Sequence, residues 1–258
     1  MILIDDESKF KLLTGVTKKT FFELLNILQI EYDKAHKYGS NNGIGPGCRL
    51  VLTLTYWREY RGMRQMAFDY EVSVSTVCNS IHWVEDTLVA NDKFKFESIK
   101  EEIEKMNKQG ITVENIICDV EEQPIERPIE NQETHYSGKK KRHTTKNQII
   151  VEEKTLKIIN YFNAVATTYD FKILKESNVI DTLNELKVSG NFDSGYQGVQ
   201  KELNSVSIPY KKSKNHELTE DEKEYNKNLS SIRIRIRIEH VNRTIKIFRI
   251  MKETYRNH

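Results

Sequence analysis

The run Asn115-Ile-Ile-Cys118 is apolar and stops on an acid, Asp119, and a second run, Leu186 to Phe192, stops on another, Asp193. Short apolar runs of this kind read as buried strands. A carboxylate at the end of such a strand is costly unless it is solvated, hydrogen-bonded or matched by a cation. The fold must therefore open a cleft at these strand ends, where a rigid backbone holds the side chains in place. Asn147-Gln-Ile-Ile-Val-Glu152 and Lys157-Ile-Ile-Asn-Tyr-Phe162 read as two further strands joined by a short turn, and Asp170 to Leu183 as a helix. Strands in succession, then a helix, a strand and helices predict an α/β fold, a mixed sheet flanked by helices.

The last long segment, Ser230 to Thr254, carries two signals. Ser231-Ile-Arg-Ile-Arg-Ile-Arg-Ile238 alternates like a half-buried strand. Over a wider window, Ile234, Ile238, Val241, Ile245 and Phe248 are spaced four, three, four, three, which is one helical stripe. Arg235, Glu239, Asn242 and Lys246 form a polar stripe beside it. The helix is the expected form, because the strand would put Glu239 with Arg235 and Arg237 and switch the apolar face after Val241. It also sets Lys246 two turns from Glu239, in reach of a phosphate.

Residues up to about Lys105 read mostly as helices, and 258 residues suit two modest domains. The expected division is a helical region over 1–105 and an α/β domain over 110–258. Thr17 is placed to cap a helix with Phe21, Leu24, Leu25 and Leu28 on one face. A segment dense in turn formers, Tyr38 to Gly47, precedes a helix from about Cys48 to Tyr60. Within 62–90 the spacing is that of a helix-turn-helix: Ala67 small at the crossing, Val72 in the turn, Ser73 as cap, Val77 and Ile81 facing inward. Ser75, Thr76 and Asn79 are then the candidate DNA-reading face. Glu71 stands where the turn usually has glycine.

Net charge is only +2, so the molecule is no polycation, and any nucleic-acid site must come from local clusters. These are Lys139, Lys140, Lys141, Arg142 and Lys146, then Lys211, Lys212 and Lys214, then Arg233 to Arg249. Cys48, Cys78 and Cys118 are far apart, without metal-ligand spacing, and read as small buried hydrophobes in a reducing compartment. No signal peptide or membrane span is read, and a cytoplasmic, nucleoid-associated protein is expected.

Asp119, Asp193 and Glu239 offer oxygen ligands alone, the set a hard divalent ion takes. Two such ions, roughly 3.5–4 Å apart, drive phosphodiester chemistry by activating the attacking oxygen and stabilising the leaving one. Asp170 rivals Asp193 as second acid, though it also fits the start of a helix.

The surrounding motifs sharpen this. Asp119-Val-Glu-Glu-Gln-Pro-Ile-Glu-Arg-Pro128, Tyr136-Ser-Gly-Lys-Lys-Lys-Arg-His143 through Gln148, Phe192-Asp-Ser-Gly-Tyr-Gln-Gly198, Pro209-Tyr-Lys-Lys212 and Glu239 through Lys246 resemble insertion-sequence transposases of the DDE superfamily. The likeness is to insertion sequence family five and Harbinger-type endonucleases, and it covers nearly the whole chain. It implies a ribonuclease H-like fold, with Asp119 on the first strand, Asp193 just after the fourth and Glu239 on a late helix. It implies that these three bind Mg²⁺ or Mn²⁺, two ions together. It further implies cleavage of double-stranded DNA at terminal inverted repeats, joining of 3′ ends to target DNA, and a homo-oligomer working on DNA. The basic runs over 139–146 and 211–214, with Arg235 and Lys246, are the implied phosphate contacts. Glu121 replaces a frequent threonine, and Tyr169 a usual histidine. Family members continue for a short stretch beyond Tyr255-Arg-Asn-His258, so a truncated DNA-binding protein without activity is one alternative expectation. A hydrolytic endonuclease that does not join ends is another.

Overall fold

The computed structural model describes residues 6–35, 43–95, 97–212, 217–231 and 234–256, without the side chains of 230–235. It divides into two compact units, residues 1–95 with 245–253, and residues 96–244 with 254–258.

The first unit is helical: α1 Glu7–Thr14, α2 Lys18–Ala35, α3 Pro46–Glu59, α4 Met63–Asp69 and α5 Val74–Ala90. α1 precedes the helix that the sequence places first, and Asp6 caps it by accepting from Ser8 N–H at 2.8 Å. Thr17 caps α2, as its spacing predicts, accepting from Thr20 N–H at 3.2 Å. Phe21, Leu24 and Leu28 of α2 pack with Leu50 and Leu54 of α3 and with Val84 and Leu88 of α5. Of the turn-rich segment, residues 38–42 lie outside the described residues, and Pro46 opens α3.

α4, the turn after it and α5 form the expected helix-turn-helix. Met66, Ala67, Val77 and Ile81 share a core, with Val72 partly buried against it. Ser73 Oγ accepts from Thr76 N–H at 3.0 Å, capping α5. Glu71 sits at φ +54°, the left-handed conformation that makes glycine usual at this position.

In the second unit, α6 Ile99–Lys108 opens with a capping box between Ser98 and Glu101. The strands are β1 Asn115–Pro124, β2 Tyr136–Ser137, β3 Arg142–Glu152, β4 Ile158–Val165, β5 Ser189–Asn191 and β6 Val206–Ser207. Their order is β4-β3-β1-β5-β6, with β2 paired to the start of β3. β1, β3 and β4 are antiparallel neighbours, whereas β5 and β6 run parallel to β1. This is the ribonuclease H-like mixed sheet that the sequence leads one to expect. Glu152 holds the short turn after β3 by accepting from the Lys154 and Thr155 N–H groups.

α7 Asp170–Glu176 and α8 Val179–Glu185 replace the single helix predicted there. Asn178, left-handed at φ +54°, breaks it. One face of the sheet, with Ile116, Cys118 and Ile150, packs on Ile103 and Met106 of α6, Leu174 of α7 and Leu183 of α8. α9 Glu220–Ser231 and α10 Ile234–Ile245 complete the unit. α10 meets the other face, where Arg237 Nη1 donates to the Glu153 carbonyl at 2.9 Å. The helical reading of this segment holds: Ile238 is buried while Ile236, two residues earlier, is 49% exposed, which a strand would not allow. The helix ends at Ile245, short of Lys246, because Phe248 N–H turns back to the Ile245 carbonyl at 3.2 Å. Among the described residues no helix is long and apolar enough to cross a membrane.

Candidate active site

β1 and β5 run side by side in parallel, with Ile117 opposite Asn191. Two residues further along each chain stand Asp119 and Asp193. β5 ends at Asn191 and Asp193 caps the single helical turn that follows, so the second acid stands just past the strand end, near enough for its charge to act on Asp119. β1 continues past Asp119 to Pro124, so the acid sits within the strand rather than at its end. Burial pushes the Asp119 carboxyl up to about 6, with the neighbouring charge of Asp193 adding to it and a hydrogen bond from Asn242 opposing it. Asn242, on α10, donates from Nδ2 to Asp119 Oδ2 at 2.9 Å. Asp193 Oδ1 accepts from the Gly195 N–H at 2.8 Å, in a single helical turn over Ser194–Tyr196.

Asp170 joins this group. Tyr169, not Asp170, is the N-cap of α7, and Asp170 is its first helical residue. Its carboxylate takes Lys146 Nζ at 2.8 Å. Gly195 lies between the two acids: a Cβ there would collide with Asp170 Oδ2 and come within 3.0 Å of Asp193 Oδ1. The glycine of the Asp-Ser-Gly-Tyr motif is thus a steric requirement of this close approach. Beneath it, Tyr196 is fully buried, its hydroxyl 3.1 Å from Cys118 Sγ and its ring 5.0 Å from that of Phe192.

Glu239 is solvent-exposed on α10, one helical turn before Asn242. Of the polar stripe, Asn242 touches Asp119. The stripe made Asn242 visible in sequence, but not which of its members meets the first acid. Among the described residues, no three His, Cys, Asp or Glu side chains close into a ligand set. The donor chemistry nevertheless suits a divalent cation: oxygen atoms only, a desolvated carboxylate, and like charges crowded where a positive ion would relieve them.

The expected DNA contacts distribute unevenly. Ser75 and Asn79 are exposed on α5, while Thr76 is half-buried with its hydroxyl 2.8 Å from that of Ser73. Lys139, Lys140, Lys141 and Arg142 are exposed around the β2–β3 turn, which Ser137 closes by accepting from Lys140 N–H at 3.1 Å. Lys146 departs from the surface role expected of it. Its side chain is only 14% exposed and is engaged by Asp170 and by the Thr168 carbonyl at 2.8 Å. Lys211 and Lys212 are exposed, and Lys214 and the side chain of Arg235 lie outside the described residues. Lys246 is half-buried in the turn after α10. The cysteines also differ from expectation: Cys118 is buried, but Cys48 is exposed and Cys78 intermediate.

Residues 118–258 match the family described as DDE superfamily endonuclease, and residues 45–91 match the helix-turn-helix of DDE superfamily endonuclease. The probable transposase for insertion sequence element IS702 of Microchaete diplosiphon is 35% identical over 250 residues, 96% of this chain and 87% of that protein. Among solved structures, a chain of the piggyBac transposase synaptic complex with hairpin DNA matches at 13% identity with a TM-score of 0.34. That match covers 83% of this chain and 53% of the other, so this chain spans about half its length, and the likeness is too slight to bear on the fold. By its two matched regions and a relative aligned over most of its length, the chain belongs to the insertion-sequence transposases of the DDE superfamily.

Proposed function

We propose that this protein cuts double-stranded DNA at the terminal inverted repeats of its element and joins the freed 3′ ends to target DNA, acting as a homo-oligomer. Asp119, Asp193 and Glu239 would hold the divalent cations, Mg²⁺ or Mn²⁺. The observation that supports this reading is that Asp193, in the turn just after β5, bears on Asp119 of the neighbouring strand β1, with Asp119 withdrawn from solvent. When bound, such ions supply Lewis-acid stabilisation of the attacking and leaving oxygens. The protein's share is placement. Asn242 orients Asp119, the Gly195 N–H orients Asp193, and Lys146 fixes Asp170 beside them.

The exposed basic turn over 139–142, with Lys211, Lys212, Arg235 and Lys246, would bind backbone phosphates, which fix position without reading sequence. Ser75, Thr76 and Asn79 would read bases from α5. Recognition would then fall to the unit of residues 1–95 with 245–253 and chemistry to that of 96–244 with 254–258, bounds that differ from the expected 1–105 and 110–258.

The test is a labelled terminal-repeat duplex incubated with Mg²⁺ and supercoiled target. Cleaved ends and joined products are expected from the wild type, and neither from Asp119→Asn. Nicks without joined products would restrict the activity to hydrolysis. Equal cutting by Asp119→Asn would overturn the catalytic assignment.

A further inference from the structure

Asn242 is 9% exposed, and its two amide atoms have different fates. Nδ2 is spent on Asp119. Oδ1 is buried with no hydrogen-bond partner among the described residues. A carboxylate oxygen only accepts, so Asp119 Oδ2 requires the NH₂ end toward it, and the carbonyl end is left without a partner next to that contact. A buried amide oxygen without a partner is costly, of the order of a lost hydrogen bond, and it persists where something outside the chain satisfies it.

We propose that Asn242 Oδ1 is a neutral oxygen ligand of the divalent cation held at Asp119, and that Nδ2 fixes Asp119 for that cation. The inference rests on the metal-dependent reading above and extends it to a residue that the acid triad does not include. Three arguments support it. Hard cations accept amide carbonyl oxygens alongside carboxylates. Asp119 already feels the charges of Asp193 and Asp170, so an amide at this point adds an oxygen ligand without adding charge. Asn242 also follows Glu239 by three residues on α10, which makes them neighbours on one helix face, so one helix would bring an acid and an amide to the same ion.

A purely structural role, pinning α10 to β1, is the competing explanation, and cation affinity separates the two. Mn²⁺ binding to the purified 258-residue chain, followed by calorimetry and by the electron paramagnetic resonance of free Mn²⁺, should weaken by about tenfold or more in Asn242→Ala. Asn242→Asp keeps an oxygen at this position and adds a charge that attracts the ion, which outweighs the lost N–H to Asp119, so it should bind Mn²⁺ at least as tightly as wild type. Wild-type affinity in Asn242→Ala, or loss of binding in folded Asn242→Asp, would overturn the proposal. Where Asn242→Ala does not fold, Asn242→Asp decides alone. Asp119→Asn is run in parallel. If it too binds like wild type, the acid-site reading fails. If it loses binding while Asn242→Ala keeps it, only the role of Asn242 fails.

Discussion

Cys118 Sγ and Tyr196 Oη meet at 3.1 Å beneath the paired aspartates. Cys118 directly precedes Asp119, and Tyr196 follows Asp193 by three residues, so this contact ties the backbone carrying one acid to the turn carrying the other. Tyr196→Phe removes the hydroxyl and leaves the thiol unpartnered, which should cost about 1 kcal/mol in urea unfolding. Tyr196→Ala empties a fully buried ring site and should cost about 3–5 kcal/mol. Burial also raises the Cys118 thiol far above the ordinary range, whereas Cys48 is exposed. A thiol reagent should therefore label Cys48 in the native protein and Cys118 only after unfolding. Labelling of native Cys118 at the rate of Cys48 would contradict the buried contact.

Asp119 makes the metal-free fold sensitive to pH. Its carboxyl is pushed up to about 6 in the folded chain, from an unperturbed 3.8. The folded state thus holds the proton more tightly than the unfolded state does. Above pH 6 the group is ionised in both states and its burial counts fully against folding. Below pH 4 it is protonated in both and the penalty is gone. A displacement of this size corresponds to something on the order of 3 kcal/mol. Without divalent ions, the advantage of Asp119→Asn over wild type should be largest above pH 7 and shrink as the pH falls through 6 toward 4. Adding Mg²⁺ at pH 8 should raise the melting temperature of wild type and not of the variant. An equal advantage at pH 8 and pH 4 would show that burial of this carboxylate is not the cause.

The strand carrying Asp119 was legible because an apolar run leads into it, and the helix at Glu239 because its stripe outweighs a local alternation. Two things were not legible. β1 runs on through Val120 to Pro124, a polar stretch that holds its place by pairing with Thr144 to Gln148 on β3. Pairing of this kind is a tertiary fact with no hydrophobic signature. The rotation of α10 about its axis was equally hidden: the polar stripe lists candidates, and only packing of Ile238 and Val241 decides that Asn242 meets Asp119. The break between α7 and α8 did leave a signal, since Ser177-Asn178 suits a left-handed residue, but the apolar residues on both sides mask it.

Lys146 and Asp170 form a pair with side chains only 14% and 25% exposed, so neither charge is well solvated. Removing one partner strands the other. Asp170→Ala should destabilise by about 2–3 kcal/mol, and Lys146→Ala by a similar amount. The double variant should cost less than the sum, with a coupling of about 1–3 kcal/mol. Because a Cβ at Gly195 would strike Asp170, Gly195→Ala should be tolerated better in an Asp170→Ala background than in wild type. Additive effects to within about 0.5 kcal/mol in both cycles would remove Asp170 from this cluster.

Glu71 stands in the helix-turn-helix at φ +54°, where a side chain costs about 1–2 kcal/mol relative to the right-handed form. Glycine avoids that cost but loses more freedom on folding, an offset of about 0.5–1 kcal/mol. Glu71→Gly should therefore stabilise the protein by up to about 1 kcal/mol. The substitution also removes an exposed negative charge just ahead of Ser73, Ser75 and Asn79. If this face meets DNA, affinity for a terminal-repeat duplex should rise at low salt, and the gain should shrink as salt screens the charge. The two effects are separable. Glu71→Gln keeps the strained backbone and removes only the charge, so it should tighten DNA binding without raising the melting temperature. Stabilisation by Gln equal to that by Gly would place the effect in charge rather than in the backbone.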